Sequence, residues 1–248
     1  MFKISRNFGR VSLTLFRIPN FFPGIKINLR DLNFCKSNLN TFISLGTCCY
    51  TRKILASQGL KPKKIDGELS YPFDLARSEI ASVAHFMSTD FVDFFDDILF
   101  DNSKGIFVNK KYFMEFPHDF SEAKQEKNFI SRYERRISSF RKLFNDDRKL
   151  CFISIIFDSK LDVDSANKVY NELSVKRGNK SFSYLVIHIS DEKDNGFRNL
   201  LSGVNYIYLK PPKSDYEKTW HLTSTRQLRE VIDFEKLFIT EIMKVHSS

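Results

Sequence analysis

Cys49 is the residue of this 248-residue chain best placed to act as a nucleophile. It follows a short apolar run and Gly46, and it precedes a segment of helical composition that ends at Gly59. A thiol at the start of a helix lies beside unpaired backbone N–H groups and the positive end of the helix dipole, and both favour the thiolate. The same N–H groups can stabilise an oxyanion on an attacked carbonyl. A Gly turn followed by an inert, buried cysteine fits the same pattern, so this segment alone leaves both interpretations open.

His118 is the histidine best suited to act as a base for that thiol. An imidazole titrates near neutrality and can therefore accept and return a proton at physiological pH. Of the other histidines, His85 falls on a predicted helix, His188 in a predicted strand and His246 at the C-terminal end. His118 and His221 therefore remain as the loop-type candidates.

Two carboxylates are candidates for orienting the imidazole of His118. Asp74 ends the segment Tyr71-Pro72-Phe73-Asp74, and Asp119 directly follows His118. Consecutive side chains on an extended segment point apart, so Asp119 need not be the partner. Asp74 is explained equally well as a helix N-cap. Both carboxylates therefore stay open as the orienting acid.

Other kinds of site have little support in the sequence. There is no phosphate-binding Gly loop, no G-x-S-x-G segment and no H-E-x-x-H segment. The four cysteines form no C-x-x-C pair, so we predict no structural zinc site and expect free thiols. The acidic residues between 93 and 101 lack the spacing of a calcium loop and predict a solvent-exposed face. We expect no bound metal.

Positive charge is concentrated at the N-terminus of the chain. The formal net charge is +9, and residues 1–30 contain six Lys and Arg and no acid. The rest of the chain, residues 31–248, is nearly neutral. Enzymes that act on nucleic acid spread basic residues over their folded surface, so we predict that nucleic acid is not a partner. The tail either makes weak contact with an anionic membrane surface or is a loosely packed leader. Uncharged apolar runs stay well below the length of a membrane-spanning helix, so we expect a cytoplasmic protein.

Hydrophobic periodicity predicts the elements that must position these residues. Strands are predicted at residues 41–45, 150–157, 182–189 and 204–209, a hairpin at 106–116, and helices at 78–87, 125–144, 164–176 and 228–245. The helix at 125–144 carries Arg132, Arg135 and Arg136, which we expect to form a solvated face. The acidic, aromatic residues 91–100 predict either a second helix or an irregular connection.

The order of these elements predicts the fold class. Strand–helix–strand order beyond residue 150 favours an α/β fold with a parallel or mixed sheet flanked by helices. An α+β fold is the alternative if residues 41–145 are mostly helical. We expect a basic N-terminal extension at residues 1–40 and a single domain at residues 41–248.

Taken in order, the motifs resemble a bacterial family named for papain-like cysteine peptidases. Members of that family resemble this chain in the order of their motifs: S-L-G-x-x-C, then P-F-D, then H-D, followed by a basic helix and a hydrophobic strand. Here residues 44–46 are Ser-Leu-Gly before Cys49, residues 72–74 are Pro-Phe-Asp, and His118 precedes Asp119. The resemblance covers about residues 41–210 and implies a papain-like fold. Leu75 stands where the family often has a large aromatic residue, which alters the expected pocket shape.

The resemblance implies a role for each motif. It implies that Cys49, not Cys48, is the nucleophile, that His118 is the general base, and that Asp74 or Asp119 orients it. The residues it places near the substrate are Ser44, Gly46 and Phe73.

The chemistry implied by the resemblance is acyl chemistry through an acyl-cysteine intermediate. Hydrolysis is the first version, with a peptide, saccharide or small molecule as substrate and no cofactor. A related papain-like group acetylates capsular polysaccharide, so acyl transfer to a bacterial surface polysaccharide, with acetyl-CoA as co-substrate, is the second version. A non-catalytic binding protein is the third interpretation, in which Gly46 forms a turn, Asp74 a cap and His118 a core hydrogen bond.

Overall fold

The computed structural model describes residues 2–7, 10–15, 26–30, 41–61, 69–120, 126–157, 162–191, 197–213 and 215–247. The strands are β1 Phe2–Asn7, β2 Arg10–Leu15, β3 Lys26–Arg30, β4 Phe42–Ser44, β5 Ile98–Asp101, β6 Ile106–Asn109, β7 Met114–Phe120, β8 Leu150–Phe157, β9 Phe182–Ile189, β10 Phe197–Leu201 and β11 Val204–Leu209. The helices are α1 Tyr50–Ser57, α2 Ile80–Ser88, α3 Glu126–Leu143, α4 Val163–Arg177, α5 Tyr216–Thr219, α6 Thr223–Arg226 and α7 Arg229–Ser247.

A five-stranded sheet lies at the centre of the fold, in the order β10-β11-β9-β8-β4. Strands β4, β8, β9 and β11 run parallel, and β10 is antiparallel to β11 at one edge. Successive side chains of β8 enter opposite hydrophobic clusters: Phe152 packs with α2, α3 and α4, and Ile153 packs with α1 and α7. Because helices cover both faces, both sets of side chains are buried, which explains why β8 is a continuous apolar run.

A second, antiparallel sheet in the order β5-β6-β7 carries His118 near the end of β7. It packs against α3 through rings: the Phe107 and Phe116 centroids lie 4.4 Å and 4.9 Å from that of Phe129. A parallel sheet and an antiparallel sheet flanked by helices confirm the predicted mixed α/β class, consistent with a papain-like fold.

The N-terminal strands β1, β2 and β3 form a third, antiparallel sheet. The basic side chains of the predicted extension, and Cys35, lie outside the described residues, so the prediction of surface contact stays a prediction. Among the helices that the structure describes, none is both long and apolar enough to cross a membrane.

One sequence interpretation is corrected by the structure: His118 lies in strand β7 and not in a loop. Of the two alternatives predicted for the segment before β5, the irregular connection is confirmed. This segment is a series of turns, in which Asp90, Phe91 and Asp97 adopt φ values of 50°, 63° and 58°. Left-handed residues interrupt the i to i−4 hydrogen bonding of a helix.

Candidate functional site

Cys49 is presented by a sharp turn between β4 and α1. Gly46 and Thr47 have φ values of 81° and 67°, so the chain reverses within two residues. The Thr47 hydroxyl donates to the carbonyl oxygen of Ile155, at the end of β8, and the Thr47 amide donates to Ser78 Oγ over 3.4 Å. Cys49 then occupies the N-cap of α1, and the N–H groups of Tyr50 and Thr51 at the start of this helix act on the neighbouring Cys48 thiol.

Asp74 is engaged in a buried ion pair that closes the Tyr71–Asp74 turn. Lys61 Nζ lies 2.8 Å and 2.7 Å from the two carboxylate oxygens of Asp74, and both side chains are fully buried. The Tyr71 amide donates to Asp74 Oδ2 over 2.8 Å. The contacts of Asp74 therefore stabilise the turn that follows α1.

The segment after this turn connects the cysteine loop to strand β7. Arg77 and Glu115 exchange two backbone hydrogen bonds of 2.8 Å each, and the next residue, Ser78, contacts Thr47. His118 follows Glu115 along β7. Residues 77 and 78 therefore set the separation between the strand that carries the histidine and the loop that carries the cysteine.

Cys49 and His118 line one cavity of about 980 Å³. It lies at the carboxyl ends of β4 and β8, the edge at which α/β proteins bind ligands. Ile156 and Phe157 of β8 contribute apolar wall, and Trp220 lies in the segment that follows α5. The structure therefore places Cys49 and His118 on the wall of the same cavity.

The two neighbouring thiols that line the cavity differ in their surroundings. Cys48 packs against the hydrophobic cluster around α1 and α7, and burial raises its pKa to about 12. Burial also keeps the pKa of Cys49 above its ordinary value, although Lys53, the backbone N–H at residue 49, Arg77 and Arg52 act in the opposite direction. Only Cys49 thus has a group of cations that stabilises its thiolate.

His118 is half-buried, and burial lowers its pKa below the ordinary value. The charge of Lys53 lowers this pKa further, and Asp119 raises it. The neutral imidazole, the form that accepts a proton, is therefore favoured at pH values where an exposed histidine would be charged.

Asp119 is buried and directed towards helix α3. Its carboxylate accepts hydrogen bonds from Arg132 and, over 2.8 Å, from the Tyr133 hydroxyl, and Arg136 Nη1 lies 3.6 Å away. The expectation that Arg132 and Arg136 form a solvated face is therefore wrong, because both pair with Asp119. His118 and Asp119 diverge as consecutive strand residues do, and Asp119 acts on the imidazole through its charge.

The remaining predicted site residues lie in the buried interior. Ser44, Phe73 and Asp74 are each 0% exposed, and Gly46 is buried between Phe73 and Ser78. The described residues that line the cavity do not include these four. Their contacts shape the cysteine loop and the adjoining turn.

Lys53 and Trp220 are among the residues of the cavity wall that sequence reasoning missed. Lys53 could have been found, because it lies one helical turn after Cys49 on a predicted helix. Trp220 carried no comparable signal, because tertiary packing alone brings it to this wall. His221 also lines the cavity.

The acidic segment before β5 has structural contacts. Asp93 accepts hydrogen bonds from His85 Nε2 over 2.6 Å, from Thr89 Oγ1 over 3.0 Å and from the Tyr112 hydroxyl, and these bonds lower its pKa to about 2. Within the described part of the chain, no group of three His, Cys, Asp or Glu side chains is arranged to hold a metal ion.

An α/β fold with a helix-start cysteine and a histidine on one cavity defines a protein with a cysteine-based site. The model of a family described as "Putative papain-like cysteine peptidase (DUF1796)" matches residues 40–190, and the chain belongs to this family. The family's description is that of cysteine-based hydrolases. Searches of curated proteins and of solved structures found no match.

Proposed function

We propose that the protein is a cysteine hydrolase that works through an acyl-Cys49 intermediate, with His118 as general base. The observation that carries this proposal is the shared cavity: a thiol at a helix N-terminus and an imidazole with a lowered pKa face the same space. Nucleophilic catalysis by cysteine needs these two groups and a set of N–H donors for the oxyanion.

The proposed reaction has two balanced halves. His118 accepts the thiol proton while Cys49 Sγ bonds to the acyl carbon, and the bond to the leaving group breaks as the imidazolium returns that proton to it. Water then attacks the acyl-cysteine, its proton passes to His118, and the acid leaves as the thiol is restored. The backbone N–H groups at the start of α1 would stabilise the oxyanion in both halves.

Acyl transfer is the second candidate, and the part of the cavity wall formed by residues 217–221 supports it. Residues 217–221 bring the polar side chains Glu217, Lys218 and His221, together with Trp220, to the cavity. Such a wall can hold an acceptor hydroxyl, and His221 can accept its proton. A sugar hydroxyl with an acetyl thioester as donor would fit this version, and so would another hydroxyl-bearing acceptor.

The test is intact-mass detection of a covalent adduct at Cys49. The protein is mixed with p-nitrophenyl acetate or acetyl-CoA at neutral pH, quenched in acid and mapped by peptide mass. We expect one acetyl group on Cys49, absent in Cys49→Ala, retained in Cys48→Ala and slowed at least about 100-fold in His118→Ala, the typical contribution of a general base.

The alternative outcomes are distinct. Equal acetylation of Cys48 and Cys49, or an unchanged rate in His118→Ala, would refute the proposal and favour a non-catalytic binding protein. If the adduct forms and an added glycan mixture accelerates its loss more than water does, acyl transfer replaces hydrolysis as the function.

A further inference from the structure

Lys53 shares the cavity with Cys49, and its position is set by helix geometry and by an aromatic ring. Its amide donates to the carbonyl oxygen of Cys49 over 3.1 Å, so the two residues are one helical turn apart. Both line the cavity. Lys53 Nζ lies over the Trp220 ring, 5.0 Å from its centroid, and the Trp220 ring packs at 80° against Tyr50 with centroids 5.0 Å apart. The ammonium group therefore has a defined position.

The charges around the pair favour a cation at Lys53 over one at His118. Lys53 and Arg52 both disfavour the imidazolium, and so does Arg136. Asp119 favours the imidazolium, but its carboxylate already accepts hydrogen bonds from Arg132 and Tyr133 of helix α3. Other charged or titratable groups that face the cavity are Arg77, Glu79, Asp162, Glu217, Lys218 and His221.

We propose that Lys53, held in place by Trp220, is the cation that stabilises the Cys49 thiolate, while His118 remains a neutral base. This inference rests on the proposed function in taking Cys49 as the nucleophile. It differs from a thiolate–imidazolium pair, in which the histidine supplies the positive charge. Trp220 lies outside the matched residues 40–190, so the C-terminal part of the chain contributes a positioning residue to the site.

Removing the charge of Lys53 should change the pH dependence of Cys49 alkylation in a characteristic way. Loss of an opposite charge close to a thiolate raises its pKa by about one or more. A rise of one decreases the thiolate fraction about tenfold at neutral pH, but the more basic thiolate is about threefold more nucleophilic. The neutral-pH alkylation rate should therefore fall about threefold, and the midpoint of the pH profile should move to higher pH.

The experiment measures the rate of Cys49 alkylation by iodoacetamide from pH 6 to pH 11 in a Cys48→Ala background. Iodoacetamide is uncharged, so its local concentration does not depend on Lys53. Lys53→Met, which keeps the aliphatic chain, should show the lower neutral-pH rate and the higher midpoint described above, and Lys53→Arg should restore the neutral-pH rate. Lys236→Met, a charge removal at an exposed position of α7, should leave it unchanged. An unchanged midpoint in Lys53→Met would overturn the inference.

Trp220 is tested in the same assay. Trp220→Leu releases the Lys53 ammonium, so it should move the midpoint of the alkylation profile in the same direction as Lys53→Met but by less. The midpoint of Trp220→Phe should lie between those of Trp220→Leu and the parent. A Trp220→Leu profile identical to that of the parent would overturn the positioning role. Because alkylation needs no turnover, a normal adduct with p-nitrophenyl acetate and an unshifted Lys53→Met profile would refute this inference alone. A shifted profile without any acyl adduct would refute only the proposed function.

Discussion

Lys61→Met is expected to destabilise the protein strongly, because it leaves a carboxylate buried without its cation. Lys61 and Asp74 are both 0% exposed and are joined by two contacts of 2.8 Å and 2.7 Å. After the substitution, the contact from the Tyr71 amide to Asp74 remains. Removing one partner of a buried pair typically costs about 3–5 kcal/mol.

The assay is thermal or urea unfolding followed by circular dichroism. For a domain of this size each kcal/mol corresponds to about 2–4 °C, so Lys61→Met should melt roughly 6–20 °C below the parent. The double variant Lys61→Met/Asp74→Asn removes both charges and keeps an oxygen for the Tyr71 amide. It should recover most of the loss, because replacing a whole buried pair by neutral groups is often close to neutral in free energy. A single-variant loss below about 1 kcal/mol would refute this reasoning.

The double variant also decides the role of Asp74. If Asp74 acts only through the turn it closes, restoring stability restores the rate of Cys49 acylation and its pH dependence. If Asp74 orients His118 directly, the double variant folds but its acylation stays as slow as that of His118→Ala. The contacts of Asp74 with Lys61 and Tyr71 predict the first result.

Three further predictions concern the turn, the base and the core. Gly46→Ala should cost about 2–4 kcal/mol, because Gly46 has φ 81° and the new Cβ would lie 2.7 Å from Ser78 Oγ. Gly105→Ala, at φ 67° with no atom within 4 Å, is the matched control at about 1–2 kcal/mol, and equal losses in urea unfolding would contradict the clash. Since burial lowers the pKa of His118, the acylation rate should fall to half of its maximum only below pH 6.5. A midpoint above pH 6.5 would contradict the role of the neutral His118 imidazole as the base. Arg177→Met should cost about 3 kcal/mol or more by calorimetry, because this buried guanidinium donates to the five carbonyl oxygens of residues 143, 144, 146, 148 and 181; a loss below 1 kcal/mol would contradict this.

The central sheet could be predicted from the sequence because helices bury both of its faces. Strands β9 and β11 match the predicted residues 182–189 and 204–209, since each is a mostly apolar run between turns. The turns before β5 could not be predicted, because a segment rich in Asp and Phe has no pattern that specifies left-handed φ values. Strand β10 was missed as well, and it lies at the edge of the sheet.

Of the candidate site, the sequence predicted only two residues that line the cavity together. The order of motifs singled out Cys49 and His118, and both line the cavity. The partner of Asp74 could not be read from the sequence, because Lys61 lies 13 residues before it and tertiary packing brings the two side chains together. Lys53 and Trp220 meet through packing between α1 and a distant segment, and no local pattern encodes that contact.

The bridge between Arg77 and Glu115 makes the geometry of the candidate site more fragile than the fold itself. Cys49 lies at the start of α1, whereas His118 lies in the antiparallel sheet, and these two backbone hydrogen bonds tie the intervening segment to β7. Subglobal opening at this joint would separate Cys49 from His118 while both hydrophobic clusters stay intact. The proposed acylation of Cys49 would then be lost at lower urea concentrations than ellipticity, and the amide protons at residues 77 and 115 would exchange with solvent ahead of those in β8.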